Sequence, residues 1–423
     1  MRIKNTALAG AAVTALALAA PAQADLSFQA GDWTVGFDGN VNAFYTVTDS
    51  ESDPNDVDGG LASVDDRGSK THNIRTGLLP SKLGFSASTR QNGFDVEAYV
   101  SYWPGVDGSP VTGADRSAAL GFGGANFRQV YLAFGNETMG TIKMGRDLGV
   151  FGSDAILNDM TIMGVGTVGP TLNGGNTTLG RIGTGYVYAD FKAQFQYQTP
   201  DYNGLQATVA ISEPLAAGSL ANVPGDPDRT YSFADGVNGN QNNDRPAFEG
   251  KITYDFALPD GLEGRFWVGG IQQRVRGELA NENSASHNAY AGEVGISAGV
   301  GPISGVAYYY RGKGIGTTAQ LLDGYSINSE SARKSDGFYL QGMYEVPVIG
   351  SKLGVSYGES RLDDNSGDEG TLLDNNSSWI GGIYHPLTPN LTLVAEYTRT
   401  VAENHDSEKN REHNVAVGGI LFF

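Results

Sequence analysis

The sequence of 423 residues contains no cysteine. Disulfide bonds, thiolate metal sites, cysteine nucleophiles and iron–sulfur clusters are therefore all excluded. Basic side chains are few, 28 against 47 acidic ones, which gives a formal net charge of −19. A partner that is bound through its phosphates requires a basic surface, so the charge balance argues against nucleic acid as a partner.

Long apolar runs are missing beyond the first two dozen residues. That segment has a basic start, an apolar run from Ala7 to Ala20, and the small-residue triplet Ala22-Gln23-Ala24. This order is typical of a cleaved signal peptide, so residues 1–24 are predicted as the signal peptide and 25–423 as one mature domain. A membrane anchor is the alternative, but spanning a bilayer takes about 20 apolar residues. The mature chain contains no candidate membrane helix, whereas membrane strands need only one apolar face.

The mature chain alternates apolar and polar residues with a period of two. From Trp33 to Thr48, apolar side chains occupy mostly odd positions and polar side chains mostly even ones, which predicts a strand with two different faces. About sixteen such segments follow one another, among them 75–90 and 181–198. The pair Asn92-Gly93 between two of them indicates a tight hairpin turn.

The connections between these segments alternate between short turns and long polar loops. This organisation is typical of outer-membrane barrels, so the fold class predicted is all-β, a transmembrane antiparallel up-and-down β-barrel of 16 strands. A soluble β-sandwich is the alternative, but its connections would not sort by length. The second face carries charged and amide side chains, which predicts a water-filled interior; these include Lys82, Arg128, Lys192, Arg265 and Glu396.

Several short motifs, in this order along the chain, resemble the general porin family of Gram-negative bacteria. They are Ser81-Lys82-Leu83-Gly84-Phe85, Phe127-Arg128-Gln129-Val130-Tyr131-Leu132, Met144-Gly145-Arg146-Asp147, the turn from Tyr197 to Leu205, and the terminal Phe423. The resemblance implies a passive channel for small hydrophilic solutes and ions in the bacterial outer membrane. It also implies a homotrimer, contact with outer-membrane lipid and lipopolysaccharide, and recognition of Phe423 by the outer-membrane assembly machinery as an insertion signal.

The resemblance further implies a constriction in which the third long loop, residues 148–180, folds into the lumen. Acidic residues of this loop would face a basic wall across a narrow aqueous gap. The wall residues matched by position are Lys82, Arg128, Arg146, Arg181 and Lys192, and the loop acids are Asp154 and Asp159. Arg146 has the parity of the apolar residues Ile142 and Met144, so it reaches the lumen only if a bulge at Gly145 resets the alternation.

Two other functions remain open from the sequence. One is a substrate-specific uptake channel for a sugar or an organic anion, with Trp103, Trp267 and Tyr339 at inward positions as a sugar track. The other is an outer-membrane enzyme, but His385 sits beside a proline without a partner motif, and no enzymatic activity is predicted. No cofactor or metal site is predicted either, apart from a structural calcium ion in the acidic loops 49–66 and 361–374.

Overall fold

The computed structural model describes residues 26–51, 55–62, 70–106, 125–169, 177–215, 245–278, 284–326 and 329–423. The predicted signal peptide lies outside these residues and stays a prediction. Nearly all regular structure in the described chain is β-strand. The two short helices, α1 (Ser153–Leu157) and a 3-10 helix (Met160–Met163), are too short to cross a membrane, and no other described helix could do so.

The strands are β1 (Leu26–Ala30), β2 (Trp33–Ser50), β3 (Lys70–Arg75), β4 (Lys82–Gln91), β5 (Phe94–Pro104), β6 (Ala125–Asn136), β7 (Gly140–Leu148), β8 (Phe191–Gln198), β9 (Leu205–Ser212), β10 (Ala247–Ala257), β11 (Glu263–Glu278), β12 (Ser284–Val300), β13 (Ile303–Lys313), β14 (Tyr325–Ser326), β15 (Ser331–Ala332), β16 (Lys334–Glu345), β17 (Lys352–Leu362), β18 (Leu373–Pro386), β19 (Leu391–Asn404) and β20 (Lys409–Phe422).

All strands except β14 and β15 belong to one 18-stranded antiparallel sheet, in which successive strands pair, except that β3 and β4 both pair with β2, and β20 also pairs with β2. The sheet is therefore closed. On one edge of β2, β1 and β20 lie end to end, and β3 and β4 lie end to end on the other edge. Each of these two end-to-end pairs occupies one strand position of the barrel, so the eighteen strands fill sixteen positions, which we call staves. The predicted 16-stranded barrel is confirmed.

The period-two pattern separates the two faces of the sheet. On β20, Val415, Val417 and Leu421 are exposed on the outer face, whereas Ala416 and Ile420 between them are buried on the inner face. The same division holds around the barrel, so an apolar belt faces outwards, as a barrel in a bilayer requires. The predicted hairpin turn is also present: Asn92 and Gly93 have φ of 50° and 83°, which the favoured two-residue hairpin turn demands.

Two predicted strand boundaries are wrong. The segment 75–90 is not one strand, because residues 76–81 interrupt the stave between β3 and β4. The segment 181–198 begins as a strand only at Phe191, because residues 181–190 still belong to the preceding connection and are buried inside the barrel. The short strand β1 was not predicted.

One side of the interior is packed with buried side chains, which corrects the expectation of a water-filled interior. A buried apolar cluster joins inward side chains of the wall, such as Trp267, Tyr308 and Tyr339, to loop residues such as Phe151 and Ile315. This cluster covers the inner face around β11–β13 and β16. The barrel therefore has a filled side and a less covered side.

Candidate functional site

The connection between β7 and β8, residues 149–190, lies against the inner face of the barrel, and we call it the inner loop. It contains α1, which follows Gly152 in a left-handed conformation with φ +81°, and the 3-10 helix that Asp159 caps. Its described residues form hydrogen bonds with inward side chains of β10, β12, β16, β17 and β19. The inner loop ends at residue 190 rather than at the predicted 180, because β8 begins only at Phe191.

Three buried glutamates of the wall hold the inner loop by its backbone. Glu249 on β10 accepts hydrogen bonds from the N–H groups of residues 150 and 151 at 2.8 and 2.9 Å, and Glu293 on β12 accepts one from residue 152 at 3.0 Å. Glu396 on β19 accepts two more, from residues 165 and 166, at 2.7 and 2.9 Å. A buried carboxylate requires such donors, so the loop is fixed largely by acidic residues of the wall.

The predicted loop acid Asp154 is fully buried between two cations of the wall. Its Oδ2 lies 2.5 Å from Nζ of Lys251 on β10, and its Oδ1 lies 3.6 Å from Nη1 of Arg265 on β11. Asp154 thus faces basic residues, but neither of them was among the predicted site residues. In the sequence, Lys251 and Arg265 could have been recognised as candidates by their inward positions on strands whose other face is apolar.

The second predicted loop acid, Asp159, organises the inner loop itself. Its carboxylate accepts hydrogen bonds from the Thr161 hydroxyl at 2.6 Å, the Tyr186 hydroxyl at 2.9 Å and the Arg181 backbone N–H at 3.2 Å. Asp159 is fully buried. Its donors belong to the same loop, so its observed contacts serve the conformation of the loop.

The expected position of Arg181 on the wall is not observed. Arg181 belongs to the inner loop, because β8 begins only at Phe191. Its guanidinium reaches outwards to the wall and donates hydrogen bonds to the Ser356 hydroxyl of β17 at 2.6 Å and to the Ser378 carbonyl of β18 at 3.3 Å. Complete burial lowers the pKa of Arg181 below its usual range, and the nearby Asp159 carboxylate opposes this shift.

Lys192 lies on the inner face of β8, as predicted for a wall residue, but it is buried. It forms an ion pair with Glu249, the residue that also holds the start of the inner loop, and it donates a hydrogen bond to Gln320 Oε1 at 2.7 Å. A buried cation has to be paired and hydrogen-bonded, and Lys192 meets this condition through Glu249 and Gln320. In this structure Lys192 connects the wall to the loops.

Gln320 belongs to a second connection that enters the barrel, residues 314–333 between β13 and β16, which we call the second loop. It packs on the end of the inner loop: the backbone N–H of Tyr188 donates to the Thr318 carbonyl at 2.9 Å, and the Gln320 amide donates to the Ala189 carbonyl at 3.2 Å. Two connections thus fill this side of the barrel. The second one had no sequence signal beyond its length.

The expected sugar track is not observed. Trp103, Trp267 and Tyr339 do have inward positions, but they are 5%, 0% and 0% exposed. The Tyr339 hydroxyl donates a hydrogen bond to the Ala155 carbonyl of α1 at 2.9 Å. These rings pack under or beside the loops, so they offer no free face on which a passing sugar could stack.

The inner face formed by the start of β2 and by β4–β7 is less deeply covered around Asp38, Lys82 and Lys143, and we call it the open wall. Here the side chains of Asp38, Lys82 and Lys143 remain 18%, 17% and 20% exposed, whereas those of Lys192 and Glu249 are 1% and 0% exposed. The predicted wall residue Lys82 therefore borders accessible space.

Lys82 is held in place by a carboxylate and two rings. It forms an ion pair with Asp38, whose carboxylate also accepts a hydrogen bond from the Tyr99 hydroxyl at 2.8 Å. The Lys82 ammonium lies 5.5 Å from the ring centroid of Tyr99 and 5.9 Å from that of Trp103. Such cation–π contacts are attractive within about 6 Å, so both the position and the charge of Lys82 are constrained.

Arg128 occupies a β-bulge on the open wall. The pairing of β5 with β6 shifts between Ser101 and Tyr102, so that Arg128 is the extra residue of β6. Its guanidinium lies 5.2 Å from the ring centroid of Trp103 and 5.6 Å from that of Phe191. The bulge turns Arg128 inwards, and only 4% of the residue is exposed.

The bulge that Arg146 required is absent. The pairing of β6 with β7 runs without a shift to Val130 and Arg146, although Gly145 has φ +132°. Arg146 therefore stays in register with Val130, which is exposed on the outer face. Its charge nevertheless acts on Asp190 at the end of the inner loop, and a role in the lumen stays a prediction.

Lys143 and Asp147 form an ion pair on β7 that was not predicted. Lys143 Nζ lies 2.5 Å from Asp147 Oδ2 and 4.8 Å from the ring centroid of Tyr131. Asp147 also accepts a hydrogen bond from the Gln129 amide at 3.0 Å. Both residues lie on the same inward face as Gly145, one on either side of it along the strand.

The C-terminal Phe423 closes the barrel against β2. Its N–H donates to the Gly39 carbonyl at 3.0 Å, and its own carbonyl accepts from the Gly39 N–H at 2.8 Å. The ring of Phe423 occupies the space that a Cβ at position 39 would need, which explains a glycine within this strand. The function of Phe423 as an assembly signal stays a prediction.

The predicted calcium ion is left without a defined site in the described chain. No group of three or more Asp, Glu and His side chains there is arranged to hold a metal ion. In the loop 361–374, Asp368 instead receives the Arg333 guanidinium at 2.8 Å and the Ser326 hydroxyl at 2.5 Å. Asp65 and Asp66 of the other acidic loop lie outside the described residues, so calcium binding there stays a prediction.

A sequence comparison with protein families identifies one matching model. The model of Gram-negative porins matches residues 8–405, nearly the whole chain. Among curated individual proteins, none matches significantly.

Solved structures of outer-membrane channels are similar to the barrel over most of its length. The outer membrane channel DcaP of Acinetobacter baumannii matches with a TM-score of 0.66 and 15% sequence identity, covering 94% of this chain and 99% of that one. The anion-selective porin from Comamonas acidovorans matches with a TM-score of 0.58 and 13% identity, covering 92% and 100%. Salmonella typhi OmpF in complex with daunomycin gives 0.58 and 13%, covering 94% and 100%. At such identities the likeness concerns the fold alone.

Proposed function

The chain belongs to the Gram-negative porin family, and from this premise we propose that small hydrophilic solutes diffuse through it along the open wall. Membership of this family makes the protein a diffusion channel of the outer membrane. The observation that supports the route is the contrast in burial. The side chains of Asp38, Lys82 and Lys143 on the open wall are 17–20% exposed, whereas those of Lys192, Glu249 and Asp154 on the filled side are at most 1% exposed.

The dimensions of the barrel are consistent with this route. A barrel of sixteen staves is wide enough to enclose an aqueous channel, but here two loops occupy one side of it. The space that remains is bordered by polar and charged side chains of β2 and β4–β7. Such a lining admits hydrated solutes and excludes large or apolar ones.

The absence of cysteine allows a direct test of the route. We expect a charged thiol-reactive reagent to reduce the single-channel conductance of Ser86→Cys, because Ser86 is half-buried on the inward face of β4 in the open wall. Ser297→Cys is the matched control, since Ser297 is inward on β12 but only 2% exposed. Equal block of both variants, or of Ser297→Cys alone, would contradict the route. Absence of conductance steps in the unmodified protein would contradict the channel function itself.

A substrate-specific channel is the second candidate, and the same recordings distinguish it. A specific channel is blocked in a saturable manner by its solute, whereas a general one is not. The burial of Trp267 and Tyr339 under the loops removes the main residues that favoured sugar specificity. We therefore propose general diffusion.

We also propose a homotrimer, with family membership as its support. Native mass spectrometry of the detergent-solubilised protein should give three times the mass of one chain, and a monomer under mild conditions would contradict this assembly. The family is one of channels, and we propose no enzymatic activity.

A further inference from the structure

The charges of the open wall compensate one another. Its inward charged residues within the described chain are four acids and four bases, namely Asp38, Asp95, Glu97 and Asp147 against Lys82, Arg90, Arg128 and Lys143. The protein as a whole carries a net charge of −19. The wall along which solutes are proposed to pass is thus electrically different from the molecule around it.

Compensation is local, because three of the bases each contact their own carboxylate. Lys82 pairs with Asp38, Arg90 with Asp95 at 2.9 Å, and Lys143 with Asp147 at 2.5 Å. An ion entering the channel therefore meets dipoles at these three places. Paired charges of this kind produce fields that fall off within a short distance.

Aromatic rings prevent two of these cations from leaving their carboxylates. Lys143 lies over Tyr131, and Tyr131 stacks on Tyr99 with ring centroids 5.4 Å apart. Lys82 follows between Tyr99 and Trp103. Tyr131, Tyr99 and Trp103 thus each have two neighbours among these cations and rings, which favours a role in holding the ion pairs.

The two remaining charges of the open wall are also of opposite sign. Glu97 lies in the same row as Lys143, with Ala133 between them in the pairing of β5, β6 and β7. Arg128 lies between the rings of Trp103 and Phe191. The sum over the open wall therefore remains zero when these residues are included.

From this arrangement we propose that the passage discriminates little between cations and anions, and that its preferred solutes are neutral polyhydroxyl compounds. A charged solute gives up hydration in a narrow passage, and at three places the wall charge that it meets is already paired with an opposite charge. A neutral solute with many hydroxyl groups loses less hydration and finds donors and acceptors along the wall. This inference rests on the proposed route along the open wall.

Reversal potentials in a KCl gradient test the absence of charge preference. In 1 M salt, where the Debye length is about 3 Å and exposed loop charges are screened, the permeability ratio of K⁺ to Cl⁻ should lie within about threefold of unity, which corresponds to about 0.7 kcal/mol. Asp38→Asn should shift the ratio towards Cl⁻ and Lys82→Gln should shift it towards K⁺. The double variant should return it close to the original value.

Solute uptake tests the preference for neutral compounds. In liposome swelling, glucose should enter faster than gluconate and protonated glucosamine, and the two charged analogues should enter at similar rates. In the reversal-potential experiment, a K⁺ to Cl⁻ permeability ratio beyond about tenfold in 1 M KCl would overturn the inference while leaving the channel intact. Shifts of the same sign in Asp38→Asn and Lys82→Gln would do the same. Faster entry of either charged analogue than of glucose would also overturn it. A protein without conductance would remove the proposed function as well, so the two failures are distinguishable.

Discussion

The two sides of the lumen use the same chemistry for different purposes. On the side filled by the loops, two ion pairs are buried: Lys192–Glu249 joins β8 to β10, and Lys251–Asp154 joins β10 to the inner loop. On the open wall, Lys82–Asp38 joins β4 to β2 and Lys143–Asp147 lies within β7, and both pairs remain partly exposed. An inward charge in this barrel is therefore a structural contact where a loop reaches it, and where none does it borders the passage that we propose.

The difference has an energetic consequence. Removing one partner of a buried ion pair leaves an uncompensated charge and is strongly destabilising, whereas an exposed pair contributes little. Substitutions on the filled side should thus change stability and the position of the loop. Substitutions on the open wall should change which solutes pass.

The largest effect is expected for Glu249→Ala. It leaves the buried Lys192 without its carboxylate and the N–H groups of residues 150 and 151 without their acceptor, so we expect the free energy of unfolding to fall by about 3–5 kcal/mol. Asp95→Ala is the matched control on the open wall, because Arg90 is 64% exposed; its cost should stay below about 1 kcal/mol. Urea unfolding in detergent measures both, and similar losses would erase the distinction between the two sides.

Glu396→Ala should have the next largest effect, on conductance as well as stability. It removes the acceptor for the N–H groups of residues 165 and 166 and for the Tyr384 hydroxyl. Each hydrogen bond to a charged group contributes about 1.5–3 kcal/mol, so this part of the inner loop should detach. We expect higher conductance with larger open-channel noise.

Glu396→Gln is the control, because it keeps one carbonyl oxygen as an acceptor. Its conductance and noise should lie between those of the unmodified protein and those of Glu396→Ala. Unchanged conductance and noise in Glu396→Ala would show that this contact does not position the loop.

A smaller effect on stability but a clear one on ion preference is expected for Lys82→Glu. The substitution places two carboxylates side by side at Asp38 and removes the cation that Tyr99 and Trp103 hold. The reversal potential should move towards cation preference. Lys192→Met, on the filled side, is expected to move it less and to reduce stability more. An unchanged preference in Lys82→Glu would remove that residue from the passage.

The smallest expected effect is a pH dependence that differs between two loop aspartates. Burial raises the pKa of Asp190, against the opposing influence of the Phe191 N–H and nearby cations. Burial also acts to raise the pKa of Asp368, but hydrogen bonds from Arg333 and other donors outweigh it and lower that pKa below its usual value.

The signs are therefore opposite. For Asp190, folding favours the protonated form, so its contribution to stability increases as pH falls from neutrality through the raised pKa. For Asp368, the contribution is complete above the ordinary aspartate pKa of about 3.9 and is lost as pH falls through the lowered value. Thermal unfolding over a pH series should show a smaller acid-side gain in Asp190→Asn and a smaller acid-side loss in Asp368→Asn. Identical profiles for both variants and the parent would contradict these assignments.

The barrel could be predicted from the sequence because its pattern is local. One face of every stave lies against apolar surroundings, so a period of two is repeated whatever the loops do. The prediction failed at residues 181–190, where Ile182, Tyr186 and Tyr188 are apolar for another reason: they are buried in the cluster between the inner loop and the wall. Hydrophobicity alone does not distinguish a lipid-facing strand from a loop packed inside the barrel.

The candidate site could be predicted only in part, because inward position is local but pairing is not. The parity of Lys82 and Lys192 indicated the inner face, and both lie there. Their partners depend on how the barrel closes and on where the loops fold, as the separation of Lys192 from Glu249 by 57 positions illustrates. The glutamates that hold the inner loop were visible as charges in apolar strands, but only the folded loop shows that they accept backbone hydrogen bonds.

The seam between β2 and β20 bears on how the protein reaches its native state. Asn40 pairs with Phe422, and Gly39 exchanges two hydrogen bonds with Phe423. The pairing of β2 on this edge is therefore complete only when the end of β20 is in place. Contacts so distant in sequence form late and slowly, because the loop that they close is long. Until synthesis and export are complete, both edges of the sheet remain unpaired and prone to aggregation. Shortening β20 by a few residues should therefore weaken this closure and leave both edges of the sheet unpaired.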